Sequence, residues 1–441
     1  MGTAGLKLTQ RYGPQRDKLG TGFGPLSVQL FISKWSKHGR YPYGVVSVYN
    51  DIQVSDRSSL RAYPGCCGGS LRNGKDKGRR GNARASRVWK GTEWHAAFPS
   101  TPLRKTPFES RMNRLRDKHG RYITDLRVSI TDHCNYRCVY CRTGNEGAIY
   151  SELPMSDYLR MVRVFVELGI EKVRITGGEP LLRRGLVEFV RDLAKLHTLD
   201  GQPLDLAITT NGHLLAEMAQ PLKDAGLSRI TVSMDAVDAE KFAKITRVFN
   251  GFEKVLAGIR AAKRVGLEPV KVNCVLLRGF NDDQIIEFAR FSRAEGVVLR
   301  FIEFMPLEED RVWSPEVVVT MAEILEKLNR FRPVRQLPNA LSETARRYTF
   351  DDGIGEMGII APVSNPFCGH CSRVRLTSDG KIRTCLFSLL DHDLAGRLQA
   401  GANDAELGEY IRTVVDQKEA RHHIGEAGFV KPSRSMVHIG G

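Results

Sequence analysis

The stretch Thr-Asp-His-Cys-Asn-Tyr-Arg-Cys-Val-Tyr-Cys, residues 131–141, decides how this chain folds and works, because it places Cys134, Cys138 and Cys141 in the spacing C-x3-C-x2-C. It follows an apolar, β-branched run at residues 126–131. A 4Fe-4S cluster normally takes four protein ligands, so a loop with three thiolates leaves one iron open to a small chelating molecule. Structural zinc is the alternative, but it requires four protein ligands, and the neighbouring His133 would make a strained fourth. The spacing favours an iron-sulfur cluster whose open iron is a reaction site.

A second motif, Arg-Ile-Thr-Gly-Gly-Glu-Pro at residues 174–180, follows one strand-helix unit later. Alone it is a weak signal, since Glu179 could be only a helix-start residue whose charge the helix dipole favours. At this distance from the cysteines, the two motifs together resemble the radical S-adenosylmethionine (SAM) superfamily. The resemblance implies that the open iron binds the amino and carboxylate groups of SAM, and that the glycines let the backbone approach this ligand.

The composition is that of a soluble globular protein. The chain has 441 residues, 41% of them hydrophobic, which is enough for one large core or two. It lacks an apolar run of about 18 residues and the apolar core of a secretory signal, so we expect no membrane association and a cytoplasmic location. The nine cysteines form two groups of three, the pair Cys66 and Cys67, and Cys274, which is predicted to be a buried strand residue. This usage indicates cofactor ligation rather than a disulfide framework.

The basic character of the chain is confined to its N-terminal part. Residues 1–118 hold 23 Lys and Arg against 7 Asp and Glu, which equals the whole formal net charge of +16; the remainder is neutral, with 43 of each kind. The charge therefore says little about what the folded body binds, and we expect no nucleic-acid partner.

Residues 1–111 are rich in Gly, Ser, Arg and Pro without periodicity, and are predicted to be a basic, disordered extension. Three explanations stay open. The segment is an organellar targeting extension, which would place the protein in the mitochondrial matrix, or a basic tail, or the product of a start codon upstream of a natural initiator at Met112.

From about residue 120, short β-branched runs alternate with amphipathic stretches, which predicts an α/β fold. Six strand-helix units in a row imply a parallel sheet covered by helices. With the radical SAM resemblance, this becomes a partial, six-unit TIM-type barrel over residues 112–314, with chemistry at the carboxyl ends of its strands. Residues 315–441 are predicted to form a small α+β domain that closes the barrel. The predicted barrel strands are residues 125–131, 172–176, 204–210, 229–234, 270–277 and 297–304, and the predicted helices are 156–168, 186–196, 214–225, 252–265 and 282–294.

A second cysteine set, Cys368-x2-Cys371-x13-Cys385, lies in this C-terminal domain. On spacing alone, zinc and iron-sulfur have equal weight, because His370 could complete a Cys3His zinc knuckle. Beside a radical SAM core, the set predicts a second 4Fe-4S cluster, again with one free iron that could hold a substrate.

Several basic residues occupy strand positions where a packed barrel has aliphatic side chains. Alternate residues of a strand share a face, so these cations are expected to point into one lumen. For any single residue, an outward or helix-paired position is equally compatible. Buried unpaired cations cost several kcal/mol each, so their joint convergence requires a polyanion, and arginine suits phosphate oxygens. The cations are Arg127, Lys172, Arg174, Lys271 and Arg300 and, beside the second cysteine set, Arg373 and Arg375.

Here the resemblance narrows to the molybdenum cofactor biosynthesis protein A family, the GTP 3',8-cyclases, from about residue 113 to the end. Few radical SAM families combine a second cluster with a Gly-Gly carboxyl terminus. The motifs that carry it begin at Arg127, Lys172, Thr209, Val232, Lys271, Arg300 and Cys368, and end with His438-Ile-Gly440-Gly441.

The resemblance implies a role for each matched residue. The catalytic set is Cys134, Cys138, Cys141, Arg373 and Arg375, with the SAM cluster on the three cysteines and a second 4Fe-4S cluster on Cys368, Cys371 and Cys385. The implied SAM contacts are Tyr140, Gly178, Glu179, Ser233 and Met305. The implied GTP site is lined by Arg127, Lys172, Arg174, Thr209, Lys271, Arg300, Arg373 and Arg375. The Gly440-Gly441 tail could thread into the barrel, the alternative being an ordinary frayed terminus.

The implied activity is the cyclisation of GTP to 3',8-cyclo-7,8-dihydro-GTP, in which a 5'-deoxyadenosyl radical from SAM takes hydrogen from C3' and the carbon radical attacks C8 of guanine. Implied partners are an electron donor and a downstream cyclic pyranopterin monophosphate synthase; a homodimer is allowed.

One departure is that the family usually has Met-Pro after the third cysteine, whereas this chain has Arg142-Thr143-Gly144, which puts the local loop shape in doubt. Two other functions stay open: a radical SAM peptide modifier, which usually has more C-terminal cysteines, and a zinc-knuckle nucleic-acid-binding protein, which predicts stacking aromatics beside the cysteines.

Overall fold

The computed structural model describes residues 114–141, 149–308, 313–340 and 342–440. The predictions for the N-terminal extension, for Cys66 and Cys67, for residues 142–144 and for Gly441 lie outside the described residues.

Within these ranges, twelve strands form one sheet. They are β1 (Asp125–Ser129), β2 (Lys172–Thr176), β3 (Asp205–Thr210), β4 (Arg229–Ser233), β5 (Lys271–Leu276), β6 (Val298–Glu303), β7 (Val334–Gln336), β8 (Arg346–Phe350), β9 (Glu356–Ile360), β10 (Arg373–Leu376), β11 (Lys381–Arg383) and β12 (His392–Asp393). Their order is β12-β11-β10-β1-β2-β3-β4-β5-β6-β9-β8-β7, with β1 to β6 parallel neighbours in chain order. The sheet does not close on itself, so the predicted six-unit partial barrel is confirmed.

Ten helices lie in the described ranges, most of them between strands, and the last one enters the barrel. They are α1 (Met155–Glu167), α2 (Leu186–Leu193), α3 (Leu215–Asp224), α4 (Ala239–Thr246), α5 (Gly251–Arg264), α6 (Ile285–Glu295), α7 (Met321–Phe331), α8 (Leu394–Gln399), α9 (Asp404–Asp416) and α10 (Met436–Ile439). Helix α1 shows why they pack: Tyr158, Met161, Val162 and Phe165 recur at helical spacing and are all buried. Gly296, just past the end of α6, has φ +62°, the left-handed conformation that a glycine cap supplies.

The C-terminal residues extend both edges of the barrel. Strand β10 pairs parallel with β1, with Arg373 opposite Asp125, and β9 pairs parallel with β6. Antiparallel strands then follow at each side, β11 and β12 beyond β10, and β8 and β7 beyond β9. The α+β segment therefore continues the barrel sheet, while the division at residues 314 and 315 stays a prediction.

Some elements differ from the predictions. Helix α4 was not predicted; it follows β4 after the loop at residues 234–238, and the side chain of Asp238 accepts a hydrogen bond from the backbone N–H of Lys241 at 2.8 Å. The helix predicted at residues 282–294 begins instead as a 3-10 turn, Asp282–Gln284, before α6. None of the helices in the described ranges is long and apolar enough to cross a membrane.

Candidate active site

A cavity of about 640 Å³ lies inside the barrel. It runs along the strands, from Lys271 at the start of β5 to Asp235 just beyond the carboxyl end of β4. The three cysteines of the first motif and all eight residues of the predicted GTP site line this single space. The structure thus brings together side chains that are far apart in the sequence.

The first cysteine loop is held by its backbone. The N–H groups of Arg137 and Val139 donate to the carbonyl oxygens of Thr246 and Ile245, at 3.1 and 3.0 Å, so the loop packs on the end of α4. Burial raises the pKa of the Cys134 thiol to about 11, and the pKa of Cys138 is also raised by burial. Thiols in such surroundings lose their protons when a metal binds them, which fits the donor set of an iron-sulfur cluster.

The glycine turn after β2 packs against this loop without room for side chains. A Cβ on Gly178 would lie 2.3 Å from the carbonyl oxygen of His133, and a Cβ on Gly177, which has φ +145°, would lie 2.3 Å from that of Thr131. The two segments also exchange backbone hydrogen bonds, from Gly178 to Thr131 and from Glu179 to His133, at 2.8 and 2.7 Å. Only glycines allow this close approach.

Glu179 is fully buried and is not among the residues that line the cavity. Its carboxylate accepts hydrogen bonds from the Thr210 hydroxyl and from the backbone N–H groups of Asn211 and Leu181, at 2.7, 2.6 and 2.9 Å. Burial raises its pKa to about 7. These contacts tie the glycine turn to the end of β3, whereas Tyr140, Gly178, Ser233 and Met305, the other predicted SAM contacts, line the cavity. A direct contact of Glu179 with SAM stays a prediction.

Tyr140, beside the third cysteine, is fixed by a buried carboxyl group. Its hydroxyl donates to Asp235 at 2.6 Å, and the other Asp235 oxygen accepts from the N–H of Val275 at 2.8 Å. Burial raises the pKa of Asp235 to about 6. The cysteine loop is thereby linked to β4 and β5.

Arginines form a row across three adjacent strands. Arg127 on β1 lies directly opposite Arg174 on β2 and Arg375 on β10. Arg174 donates to the hydroxyls of Thr209 and Thr231, both at 3.1 Å, and only 8% of Arg174 is exposed. These hydroxyls are neutral, so they orient the guanidinium without balancing its charge.

The cations lower one another's pKa values. Burial first, and then the neighbouring cations, lower the pKa of Lys271 to about 7, of Arg174 to about 9 and of Arg300 to about 10. The pKa of Arg375 is lowered for the same reasons. The surplus of positive charge in this cavity favours the binding of an anion with several charges.

Arg229 on β4 was missed in the sequence, although it lies two and four residues before Thr231 and Ser233 on the same face. Its guanidinium pairs with Asp205 at 2.7 Å, and Lys172 approaches the same carboxylate at 3.6 Å. The signal was available, because alternate residues of a strand share a face and this face runs from Ser233 back to Arg229.

The second cysteine set borders the same cavity. Cys368 lies in a 3-10 turn, Cys368–His370, before β10, and Cys385 follows β11 closely. Arg373 donates to the sulfur of Cys371 at 3.4 Å. Burial raises the pKa of Cys371, but the charges of Arg373 and Lys418 outweigh it and hold that pKa at about 6.

The neighbours of these cysteines, rather than the sulfurs, form part of the cavity wall: Phe367, Ser372, Arg373 and Leu386. In the ranges that the structure describes, no three His, Cys, Asp or Glu side chains are grouped as ligands of one metal ion. The thiolates of a cubane bind different irons, so a cluster does not require them to meet at one point. Cys274 is fully buried on β5, as predicted.

The end of the chain enters the barrel. Gly440 has φ +68°, and a Cβ there would lie 2.4 Å from the Thr176 methyl group and 2.5 Å from the Ser129 hydroxyl. Residues 437–440 are buried. The predicted threading of the tail is therefore observed for Gly440, between the first two strands.

Two family models match the chain. The radical SAM superfamily model matches residues 128–292, and the model named Molybdenum Cofactor Synthesis C matches residues 297–424. Together they cover the barrel and most of the C-terminal segment.

Curated relatives match over the same region. A GTP 3',8-cyclase from Syntrophomonas wolfei is 40% identical, over 74% of this chain and 99% of the relative. GTP 3',8-cyclases from Corynebacterium glutamicum and Clostridium acetobutylicum are 41% and 40% identical, over 89% and 99% of their own lengths. Among solved structures, Streptococcus suis SuiB bound to S-adenosylmethionine superposes with a TM-score of 0.48 at 14% identity, covering 67% of this chain and 69% of that one.

Proposed function

We infer the function from one premise: this chain belongs to the GTP 3',8-cyclase family of radical SAM enzymes. It converts GTP to (8S)-3',8-cyclo-7,8-dihydroguanosine 5'-triphosphate, the first step in making the molybdenum cofactor. SAM and an iron-sulfur cluster are the cofactors of the family. A zinc-knuckle nucleic-acid-binding function and a peptide-modifying function are set aside by this membership.

We propose that Cys134, Cys138 and Cys141 hold the SAM cluster and that Cys368, Cys371 and Cys385 hold a second 4Fe-4S cluster. The support is that each set supplies three thiols beside the same cavity, one short of the four ligands that a cubane takes. Tyr140, Gly178, Ser233 and Met305 would contact SAM, and Glu179 would fix the glycine turn on which SAM rests.

We propose further that GTP lies in the barrel with its phosphates among the cations. The observation that carries this is the row of Arg127, Arg174 and Arg375, which face a cavity without enough carboxylates to balance them. Lys172, Thr209, Lys271, Arg300 and Arg373 complete the proposed site. A triphosphate supplies the missing charge, and the arginine forks can bind its oxygens in pairs.

When bound, the SAM cluster would supply the electron that splits SAM into methionine and a 5'-deoxyadenosyl radical. The residues of this chain do the remaining work: the cations neutralise the triphosphate, the barrel walls exclude water, and the hydroxyl contacts of Arg174 fix one guanidinium in place. Arg373 and Arg375 lie between the second cysteine set and the lumen, where they would hold the nucleotide beside that set.

The number of clusters is tested by metal analysis after anaerobic purification. Two 4Fe-4S clusters give about eight irons and eight sulfides per chain. The double variant Cys368→Ser, Cys371→Ser is expected to keep about four irons and to cleave SAM without forming cyclised product. Cys274→Ser, which removes a buried thiol on a strand, is the control and keeps both clusters. Zinc in place of iron at the second set, or four irons in the unaltered protein, contradicts the two-cluster proposal.

The partners and location are proposed from the same membership. The product would pass to a cyclic pyranopterin monophosphate synthase, an electron donor would reduce the clusters, and a homodimer is compatible with both steps. We propose a cytoplasmic enzyme, or a mitochondrial-matrix one if residues 1–111 are a targeting extension.

A further inference from the structure

His422 is a half-buried histidine with no assigned role, and both of its ring nitrogens are buried. Neither of its ring nitrogens is exposed to solvent or has a hydrogen-bond partner in the part of the chain that the structure describes. A buried polar group without a partner costs about 1–3 kcal/mol, so two on one ring require an explanation.

The ring lies beside the second cysteine set. It packs on Phe387, with the two ring centroids 5.3 Å apart. The backbone N–H of Phe387 in turn hydrogen-bonds the thiol of Cys385. Arg373, whose guanidinium donates to the Cys371 sulfur, is near enough for its charge to act on His422. Phe387 thus links His422 to Cys385, and the second cysteine set lies close to the ring.

The segment just before His422 is hydrogen-bonded to the loop that carries Cys368 and to the loop that carries Cys385. Lys418 donates to the carbonyl oxygens of Arg373, at 2.9 Å, and of Thr384, the residue before Cys385. The guanidinium of Arg121 bridges the carbonyl oxygens of Cys368, Glu419 and Ala420, at 2.9, 2.6 and 2.8 Å. The backbone just before His422 is therefore held beside the cysteine loops.

The charge state of the ring supports a donor role. Burial first, and then the nearby His423 and Arg373, lower the pKa of His422 to about 4. A neutral imidazole has one N–H donor, and this donor needs an acceptor. None of the described residues accepts this hydrogen bond. The sulfurs of a cluster held by the three cysteines would be suitable acceptors.

We propose that His422 is a positioning residue that donates its N–H hydrogen bond to a sulfur of the second cluster. The inference rests on the proposed second cluster. Coordination of the free iron is disfavoured, because that iron is proposed to face the nucleotide in the cavity, and neither His422 nor Phe387 is among the residues that line it. Hydrogen bonds to cluster sulfurs help to set the reduction potential, since they stabilise the more negative, reduced cluster.

The test is an EPR-monitored redox titration of the purified holoenzyme. The signal of the second cluster is identified as the one lost in the Cys368→Ser, Cys371→Ser variant. His422→Phe keeps a ring against Phe387 but removes the donor, and is expected to shift the potential of this cluster to more negative values. His422→Gln keeps an N–H donor and is expected to stay closer to the unaltered enzyme. The control is His423→Phe, whose exposed ring pairs with Glu426 at 2.8 Å, and no shift is expected.

Pulsed EPR of protein labelled with 15N-histidine distinguishes a hydrogen bond from His422 to a cluster sulfur from coordination of an iron by His422. A hydrogen-bonded imidazole gives a weak nitrogen coupling that disappears in His422→Phe, whereas a strong coupling of an iron-bound nitrogen overturns the proposal. So does an unchanged potential in His422→Phe with full iron content. If His422→Phe loses the cluster, His422→Gln decides: retained iron and a near-native potential support the donor, and loss of both overturns it. Four irons in the unaltered protein would contradict the proposed second cluster. Eight irons with an unchanged potential in His422→Phe would refute only the proposed role of His422.

Discussion

Arg375 donates hydrogen bonds to the backbone carbonyl oxygens of Ile439 and Gly440, so the end of the chain is held against the cationic wall of the cavity. The contact joins β10 to a residue 65 positions later. The tail therefore shares a guanidinium with the proposed nucleotide site, and a change in its position is expected to alter how the substrate binds.

Replacement of Gly440 by alanine tests this contact. The new Cβ would meet Thr176 and Ser129 at 2.4 and 2.5 Å, in a backbone conformation with φ +68°. Overpacking of this kind costs about 1–3 kcal/mol. The tail is expected to leave its place, and GTP cyclisation to fall roughly tenfold or more, since about 1.4 kcal/mol is tenfold in rate. Steady-state turnover with unchanged iron content is the measurement.

The control is Gly401→Ala. Gly401 has φ +89° and no atom lies within 4 Å of the position that a Cβ would take, so this variant has similar backbone strain without the clash and should keep near-native turnover. Equal losses in both variants would point to strain alone.

Arg434 fastens the tail from outside the cavity. It binds Asp379 at 2.8 Å and Asp391 at 2.5 Å, and stacks on Tyr150 at 4.0 Å. Hydrogen bonds to charged groups contribute about 1.5–3 kcal/mol each, so Arg434→Met should release the tail and lower turnover. Limited proteolysis should cut the C-terminal residues faster than in Arg421→Met, which removes an exposed cation paired with Glu426. Native turnover and native proteolysis in Arg434→Met would show that the tail holds without this clamp.

Lys271 is expected to give GTP binding a pH dependence. In the free enzyme its pKa is lowered to about 7, because burial and the neighbouring cations disfavour the charged form. A bound polyanion favours the charged form and raises this pKa. GTP binding should therefore take up a proton above about pH 7, and affinity should fall as pH rises through that value. Calorimetry in buffers of different ionisation enthalpy measures the uptake. Lys271→Arg, which keeps the charge, should reduce it; the same uptake in this variant would assign the proton to another group.

Tyr140 and Asp235 form a pair whose loss should loosen the first cysteine loop. Tyr140→Phe leaves one oxygen of a buried carboxyl group without its donor, at a cost of about 1–3 kcal/mol in unfolding free energy. Denaturant unfolding of the iron-loaded protein measures this change, with Tyr122→Phe at a 51% exposed tyrosine as the control. Equal stability of the two variants would mean that Asp235 finds another donor.

The barrel was readable in the sequence because each unit is local. The β-branched runs and the helical spacing of apolar residues placed β1 to β6 within about two residues of their observed ends. Helix α4 was missed because it is short, although Asp238 is a normal N-cap.

The flanking of the barrel by β9 and β10 could not be predicted, because it depends on pairs distant in sequence, such as Asp125 with Arg373. Periodicity shows that a strand has two faces but not which neighbour it pairs with. The same limit applies to the site. The face of Arg174 was correctly predicted, whereas the burial of Glu179 behind the glycine turn depends on Thr210 and Asn211 at the end of another strand. His422 carries no local motif, and only its unsatisfied nitrogens mark it.

The most direct test of the central claim is the fate of the C3' hydrogen of GTP. The iron-loaded enzyme is incubated anaerobically with SAM, a reductant and GTP carrying deuterium at C3', and 5'-deoxyadenosine is analysed by mass spectrometry. We predict that 5'-deoxyadenosine forms in a GTP-dependent reaction, carries the deuterium and accompanies the 3',8-cyclised nucleotide. SAM cleavage that is indifferent to GTP, or 5'-deoxyadenosine without deuterium, would contradict the account.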